Sequence, residues 1–539
     1  MPRLQKHYAK TYTRRGRPRP YIMNEPLLFE LSSPGAASDY LARLDVPQGD
    51  LPFAPRENLA LPEVDEHSLV RHFTRLSQQN FSIDTEFYPL GSCTMKYNPK
   101  MNESVASLPG FAFAHPLQDE SALQGWLEIL FEAQETLAKI AGLDAATIQP
   151  VAGAQGEFCG LLMIRKYHES RGELEQRTRI VVPDSAHGTN PASAARCGFA
   201  VTQVASDEHG CVDLQHMKDA LGSDVAAVMI TNPNTLGVFE KDIEKLCELA
   251  HDCGALVYMD GANMNAILGQ VRPGDTGVDV MHFNVHKTFS TPHGGGGPGA
   301  GPVAVRDILV PFLPVPHVAL KSIRPSNGST VGGHPEFGRT FGFDYDRPQS
   351  IGALHGFYGN AGIILRALTY ILRHGDEGLK TISTDAVLAA NYVLARLRGV
   401  YETANENICK HECVLSANAF KEKYGVSAWD IAKRLPDYGF HAPTVYFPTI
   451  VRESLMIEPT ETETKATLDS FCDAMIAIAR EAETEPETLK HAPHSTRVGR
   501  LDEANAARCL NLCWQAPQEN PVCQSDGDAR REVPQASTY

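Results

Sequence analysis

Between residues 150 and 305, short apolar runs alternate with stretches whose apolar positions recur every three or four residues. Four runs have the length and continuity of buried strands: Arg179-Ile180-Val181-Val182, Val225-Ala226-Ala227-Val228-Met229-Ile230, Ala255-Leu256-Val257-Tyr258-Met259, and Val280-Met281-His282-Phe283-Asn284-Val285. Between the second and third, Ile243, Leu246, Cys247 and Ala250 share one helical face, and Gly254 supplies the stop. The result is a β-loop-α-β unit, and its repetition predicts an α/β domain around a mostly parallel sheet. Leu123, Trp126, Leu127, Leu130 and Phe131 have the spacing of a helix leading into that domain.

Past residue 345 the pattern changes. Helical stretches from Gly362 to Leu368 and from Thr384 to Leu397 precede strand-like pieces such as Thr444-Val445-Tyr446-Phe447, which predicts a smaller α+β C-terminal domain. The expected organisation is a basic flexible arm (1–27), an extended wrapping segment (28–120), the large α/β domain (121–345), the small domain (346–515) and a polar, disordered tail (516–539). A chain of 539 residues suits roughly three packed units, and its 42% hydrophobic and 21% charged content is that of a globular protein. A net charge of −16 argues against nucleic-acid binding. The one basic cluster is Arg3, Lys6, Lys10, Arg14, Arg15, Arg17 and Arg19; it reads first as a flexible arm, with targeting or docking as the other reading. No apolar run is long enough for a membrane span, and the expected location is the cytoplasm. The 12 cysteines are scattered, as reduced thiols are. The Cys409/Cys413 and Cys509/Cys513 pairs lack further ligands at zinc spacing, so no metal is expected.

Ligands of open α/β sheets bind beyond the carboxyl ends of the strands, so the residues that follow each strand are the candidates for chemistry. Those residues include His187, Asn234, Asp260 with Ala262, and finally His286 and Lys287, while Gly153-Ala154-Gln155-Gly156 precede the first helix of the domain. Singly, each has an ordinary explanation: a solvated lysine, an Asp-Gly turn, an Asn-Pro loop, a structural histidine. Together they suit pyridoxal 5'-phosphate. A lysine amine condenses with an aldehyde where its surroundings favour the uncharged form, and Lys287 is the candidate. The ring nitrogen needs a carboxylate to keep its proton, a role for Asp260. The phosphate needs backbone N–H groups at a helix N-terminus, which Ala154 and Gln155 would supply. His187 would stack on one ring face, Ala262 would close the other, and Asn234 would reach the phenolic oxygen. The glycine run from Gly294 to Gly301 matches no nucleotide-binding pattern. It reads either as a flap or as backbone that must approach a phosphate closely.

Several long strings add a resemblance: Tyr88-Pro89-Leu90-Gly91-Ser92-Cys93-Thr94-Met95-Lys96, Gly153 to Glu157, Ser185-Ala186-His187-Gly188-Thr189-Asn190-Pro191-Ala192, Thr231 to Gly237, the Lys287 stretch, and Met456-Ile457-Glu458-Pro459-Thr460-Glu461-Thr462-Glu463. Over residues 28–510 the chain resembles the glycine decarboxylase (P-protein) family of the glycine cleavage system, in particular its pyridoxal-bearing second subunit. The resemblance implies the type I pyridoxal-phosphate, aspartate-aminotransferase-like fold. It implies that Lys287 is the Schiff-base lysine, His187 the stacking histidine and Asp260 the partner of the pyridine nitrogen. Ser92, Cys93 and Thr94 would lie near the substrate. The implied reaction is decarboxylation of glycine with transfer of the aminomethyl group to the lipoyl group of the H-protein. Lys287 would carry a proton, supported by His286 or His187. A partner like subunit 1 is implied, in a heterotetramer with two copies of each subunit. Ala36 replaces the family's usual basic residue after Pro34-Gly35. The rival readings are another type I pyridoxal enzyme or a non-catalytic assembly subunit.

Overall fold

The structure, a computed structural model, describes residues 25–36, 45–46, 49, 52–54, 61–294, 297–331, 334–404, 408–510 and 512. The arm before residue 25 and nearly all of the tail after 510 lie outside the described residues. Helix α1 (Gln124–Ala141) leads into strand β1 (Ala145–Thr147) and helix α2 (Gly153–Ser170). Then come β2 (Arg179–Pro183), α3 (Thr189–Arg196), β3 (Ala200–Val204), β4 (Val225–Thr231), α4 (Ile243–Asp252), β5 (Leu256–Gly261), β6 (Val280–Phe283), the short helix α5 (Val285–Thr288) and β7 (Val303–Val305). All four expected strands are present. The last stops at Phe283, two residues early, because the chain turns into α5.

These strands form one seven-stranded sheet in the order β1-β7-β6-β5-β4-β2-β3. Pairing is parallel from β6 to β3, while β7 runs antiparallel to both β6 and β1. Two reversals restore the direction of β1, so Thr147 ends at the same sheet edge as β2, β4, β5 and β6. The strands read as continuous apolar runs because both faces are covered. On β4, Val228 and Ile230 join the core beneath α1, where Leu127, Leu130 and Leu137 pack. Ala227 and Met229 face Leu161 and Ile164 of α2. Each of the Val, Leu, Ile and Met side chains among them, removed from water, contributes roughly 1.5–3 kcal/mol.

The hairpin β8 (His317–Val331) and β9 (His334–Asp344) leads to α6 (Ala361–Leu397). The two helical stretches read from the sequence are halves of α6, which breaks at Gly375 (φ 62°, ψ −174°). Ile364, Leu368 and Ile371 pack in the core of the large sheet, and Val393, Leu394 and Leu397 pack in that of a second sheet. That sheet is antiparallel, built from β10 (Glu402–Thr403), β11 (Cys413–Ser416), β12 (Thr444–Val445) and β13 (Ser454–Ile457), and α7 (Lys465–Thr484) covers it with Phe471 and Met475. The segment before residue 121 is more helical than its prolines suggest. Helix Glu66–Ser77 starts on the Asp65 side chain, which accepts from Ser68 N. Its His72 and Arg75 both bind the buried Glu25.

Candidate active site

The sheet edge where the parallel strands end gathers the predicted residues. Asp260 lies near the end of β5, and α5 carries Lys287 directly after β6. His187 follows β2, and the first turn of α2 lies beyond β1. Parallel register sets Asp260 of β5 beside His282 of β6, and the His282 Nε2 stands 3.3 Å from Asp260 Oδ1. Tyr258 OH holds the other ring nitrogen at 2.7 Å. Asp260 also accepts from Asn190 Nδ2 (3.0 Å) and Ala262 N (2.9 Å). Burial favours protonation of Asp260, but His282, the Asn190 amide and the Ala262 N–H outweigh it and hold the carboxyl below its ordinary range. A buried carboxylate is thus ready for a cationic partner.

His187 Nδ1 stands 2.8 Å from Thr189 Oγ1, and that hydroxyl donates to Glu157 Oε1 at 2.6 Å. Ser193 Oγ donates to the other Glu157 oxygen at 2.8 Å. Burial, with the charge of Asp260, pushes the Glu157 carboxyl up to about 7. Burial pulls His187 down, which leaves a neutral, half-buried ring fixed in orientation and suited to lie against a flat ligand.

Glycines let this edge close. A Cβ on Gly153 would lie 2.2 Å from the Asn284 amide, and one on Gly156 would lie 2.7 Å from Gly301 O. A Cβ on Gly301 would lie 2.1 Å from Ala152 O, and Gly301 N donates to Pro150 O at 2.9 Å. Of the two readings of the glycine run, its described end therefore serves close backbone approach, and what it approaches is the loop before α2. Gln155 Oε1 accepts from Val151 N (2.7 Å), which shapes that loop, while Ala154 is exposed in the first turn.

Two further candidates, Asn234 and His286, have partners of their own. Asn234 Oδ1 accepts from Leu236 N and Val238 N, and its Nδ2 donates to Gly210 O. The amide clasps its own loop. His286 packs against Gly299, and burial next to Lys287 lowers its pKa to about 3. A base that weak is poorly matched to proton transfer at neutral pH.

Ser92, Cys93 and Thr94 do reach this region. Ser92 and Thr94 both have left-handed φ (62° and 43°). Their N–H groups donate to Glu412 Oε2 (2.8 Å) and Glu458 Oε2 (2.9 Å). The positive charge of Lys287 acts on Cys93, Glu412 and Glu458 alike. Close by, the buried Lys96 Nζ binds Asn265 Oδ1 and Glu461 Oε1, each at 2.8 Å. Sequence reasoning gave no role to Glu157, Asn190, His282, Glu412 or Glu458. Glu157 and Glu458 stand inside quoted strings, and His282 lies on the strand that leads to Lys287, so position alone could have flagged them.

A sheet edge bearing a lysine, a buried carboxylate and an oriented histidine defines a class, and residues 133–300 match the aminotransferase class-V family. Residues 382–495 match the glycine dehydrogenase C-terminal domain. A "Probable glycine dehydrogenase (decarboxylating) subunit 2" of Bacillus velezensis is 52% identical over 491 residues, covering 90% of this chain and 96% of that protein. The protein of the same name from Alkaliphilus oremlandii is 51% identical, covering 91% of this chain and 99% of its own. The chain belongs to the glycine dehydrogenase (decarboxylating) subunit 2 family. A crystal structure of glycine decarboxylase (P-protein) of the glycine cleavage system, in inhibitor-bound form, shares the fold with a TM-score of 0.63 at 22% identity, over 82% of this chain and 96% of that one. A cysteine desulfurase from Thermococcus onnurineus shares it with a TM-score of 0.55 at 15% identity, over 74% of this chain and 95% of that one.

Proposed function

We propose that this chain is the lysine-bearing subunit of a glycine-decarboxylating dehydrogenase, holding pyridoxal phosphate and delivering the aminomethyl group of glycine to a lipoylated H-protein. One observation carries the reading: Lys287, Asp260 and His187 gather at one sheet edge, and Asp260, only 2% exposed, is held by the Asn190 amide, the Ala262 N–H and His282. That donor set fits the cofactor. Lys287 would hold the aldehyde carbon, Asp260 the ring nitrogen, His187 and Ala262 the two ring faces, and the N–H groups of Ala154 and Gln155 the phosphate. When bound, pyridoxal phosphate supplies the electron sink for the bond that loses carbon dioxide.

The protein's own groups have separate tasks. His282 and Asn190 keep the charge and direction of Asp260 fixed, so the negative charge is in place before a ligand arrives. Thr189 holds the His187 ring on one side, and Glu157 fixes Thr189. Lys287 is the group placed to carry a proton, because His286 is a very weak base and is packed away. A partner of the subunit 1 type completes the enzyme.

Exchange of labelled bicarbonate into the carboxyl carbon of glycine tests the reading, with the chain combined with subunit 1 and lipoylated H-protein. Wild type exchanges, and Lys287→Ala loses at least about a hundredfold. Undiminished exchange in Lys287→Ala, or preferential turnover of another amino acid, overturns it.

A further inference from the structure

Antiparallel pairing of β11 with β13 sets Cys413 opposite Ile457. The residues just outside that pair, Glu412 and Glu458, therefore meet at one end of the small sheet, and His411 precedes them. Ligand-type atoms of all three lie within 4.8 Å of one another. His411, Glu412 and Glu458 are each 0% exposed. His411 Nε2 is 4.0 Å from Glu412 Oε2 and 3.9 Å from Glu458 Oε1. Neither ring nitrogen of His411 has a hydrogen-bond partner, and neither does Glu412 Oε1. The remaining carboxylate atoms are tied to one short segment: Glu412 Oε2 to Ser92 N, Glu458 Oε2 to Thr94 N, and Glu458 Oε1 to Thr94 Oγ1 at 2.5 Å.

Among the described residues, no Lys or Arg lies within ion-pair distance of either glutamate. The titratable groups around the cluster are Lys287, whose charge acts on all three members, Lys96, which acts on Glu458, Cys93, which senses both glutamates, and the buried Cys409 and Cys413, which sense Glu412. Two carboxyls this close and this dry cannot both ionise. We propose that His411, Glu412 and Glu458 form a buried proton-holding site whose occupancy follows the charge on Lys287: the cluster takes up a proton when that charge is removed and releases one when it returns. The direction follows from the sign of the interaction, because the Lys287 ammonium opposes protonation of each member. Burial keeps Glu412 protonated well above the carboxylate range and pushes Glu458 up to about 7, so Glu458 is the member that exchanges. The proton moves between a carboxyl oxygen and solvent or the lysine amine, with no other bond made or broken. The use of that proton in glycine chemistry rests on the function proposed above; its existence does not.

Infrared titration of the full-length chain, stripped of bound aldehyde, tests the site. The expected spectrum shows carboxylic-acid carbonyl absorption that persists at neutral pH, part of which disappears with a midpoint of about 7. In a Glu157→Gln background, which takes away the other carboxyl held near 7, Glu458→Gln removes that step, and Lys287→Met moves it upward by about one pH unit or more. Absence of any protonated carboxyl at neutral pH, or a step that Lys287→Met does not move, overturns the proposal. Stoichiometric zinc binding by the metal-stripped chain, lost in His411→Ala, also overturns it and makes the cluster a cation site. Should Glu458→Gln fail to fold, the Lys287→Met titration still decides, since the cluster itself is intact there. Borohydride labelling of the same chain after reloading with pyridoxal phosphate reads the cofactor assignment separately, so the two failures are distinguishable.

Discussion

At the scale of single residues, the site is a set of carboxyls held in different protonation states. Asp260 is kept charged by His282, Asn190 and the Ala262 N–H, whereas Glu157 nearby is pushed up to about 7 by burial and by Asp260 itself. Asp260→Asn removes the charge and keeps the shape, and is expected to raise the dissociation constant of pyridoxal phosphate tenfold or more, about 1.4 kcal/mol, in a cofactor-binding titration. Glu157 has a pH signature. Its folded pKa lies above its ordinary value of 4.5, so its contribution to stability is fully present below 4.5 and is lost as pH rises toward about 7. Glu157→Gln is expected to gain on wild type across that window, by an order of 2–3 kcal/mol, and to hold the gain above it. Denaturant unfolding at a series of pH values checks this.

At the scale of elements, register and close approach do the placing. Lys287, Asp260 and His187 were legible in the sequence because each follows a strand whose continuous apolar run is unmistakable, and a parallel sheet aligns such ends. Strands β1 and β7 were not legible: three residues carry no periodicity, and their antiparallel insertion leaves no crossover helix. The two helical stretches on either side of Gly375 were legible, but their union in α6 was not. The Glu412–Glu458 pairing exists only through the register of β11 with β13, and no local spacing announces it. The hold of Asn234 on its own loop was not legible either, because an Asn-Pro-Asn loop reads the same whether the amide serves a ligand or its own turn. Gly301→Ala tests the close-approach reading of the glycine run, since its Cβ would meet Ala152 O at 2.1 Å. The expected result is a destabilised chain with a displaced α2 loop and weakened phosphate binding, seen as a higher dissociation constant for pyridoxal phosphate than for wild type.

At the scale of the whole molecule, two sheets share one long helix, and the candidate site lies where the segment from Tyr88 to Lys96 joins them. Gly91 packs on Met456 of β13, where a Cβ would lie 2.2 Å from the side chain, and Lys96 bridges Asn265 to Glu461. Lys96→Met leaves Glu461 without its buried cation, and breaking such a pair costs about 3–5 kcal/mol, measurable by denaturant unfolding. The second-subunit family also predicts that the isolated chain binds cofactor yet exchanges glycine poorly until subunit 1 is added. The role of Lys287 is tested by borohydride reduction of the pyridoxal phosphate-loaded full chain, followed by mapping of the labelled peptide. A single pyridoxyl group on Lys287 is expected. A label on Lys96 or any other lysine, or none even with subunit 1 present, would contradict it.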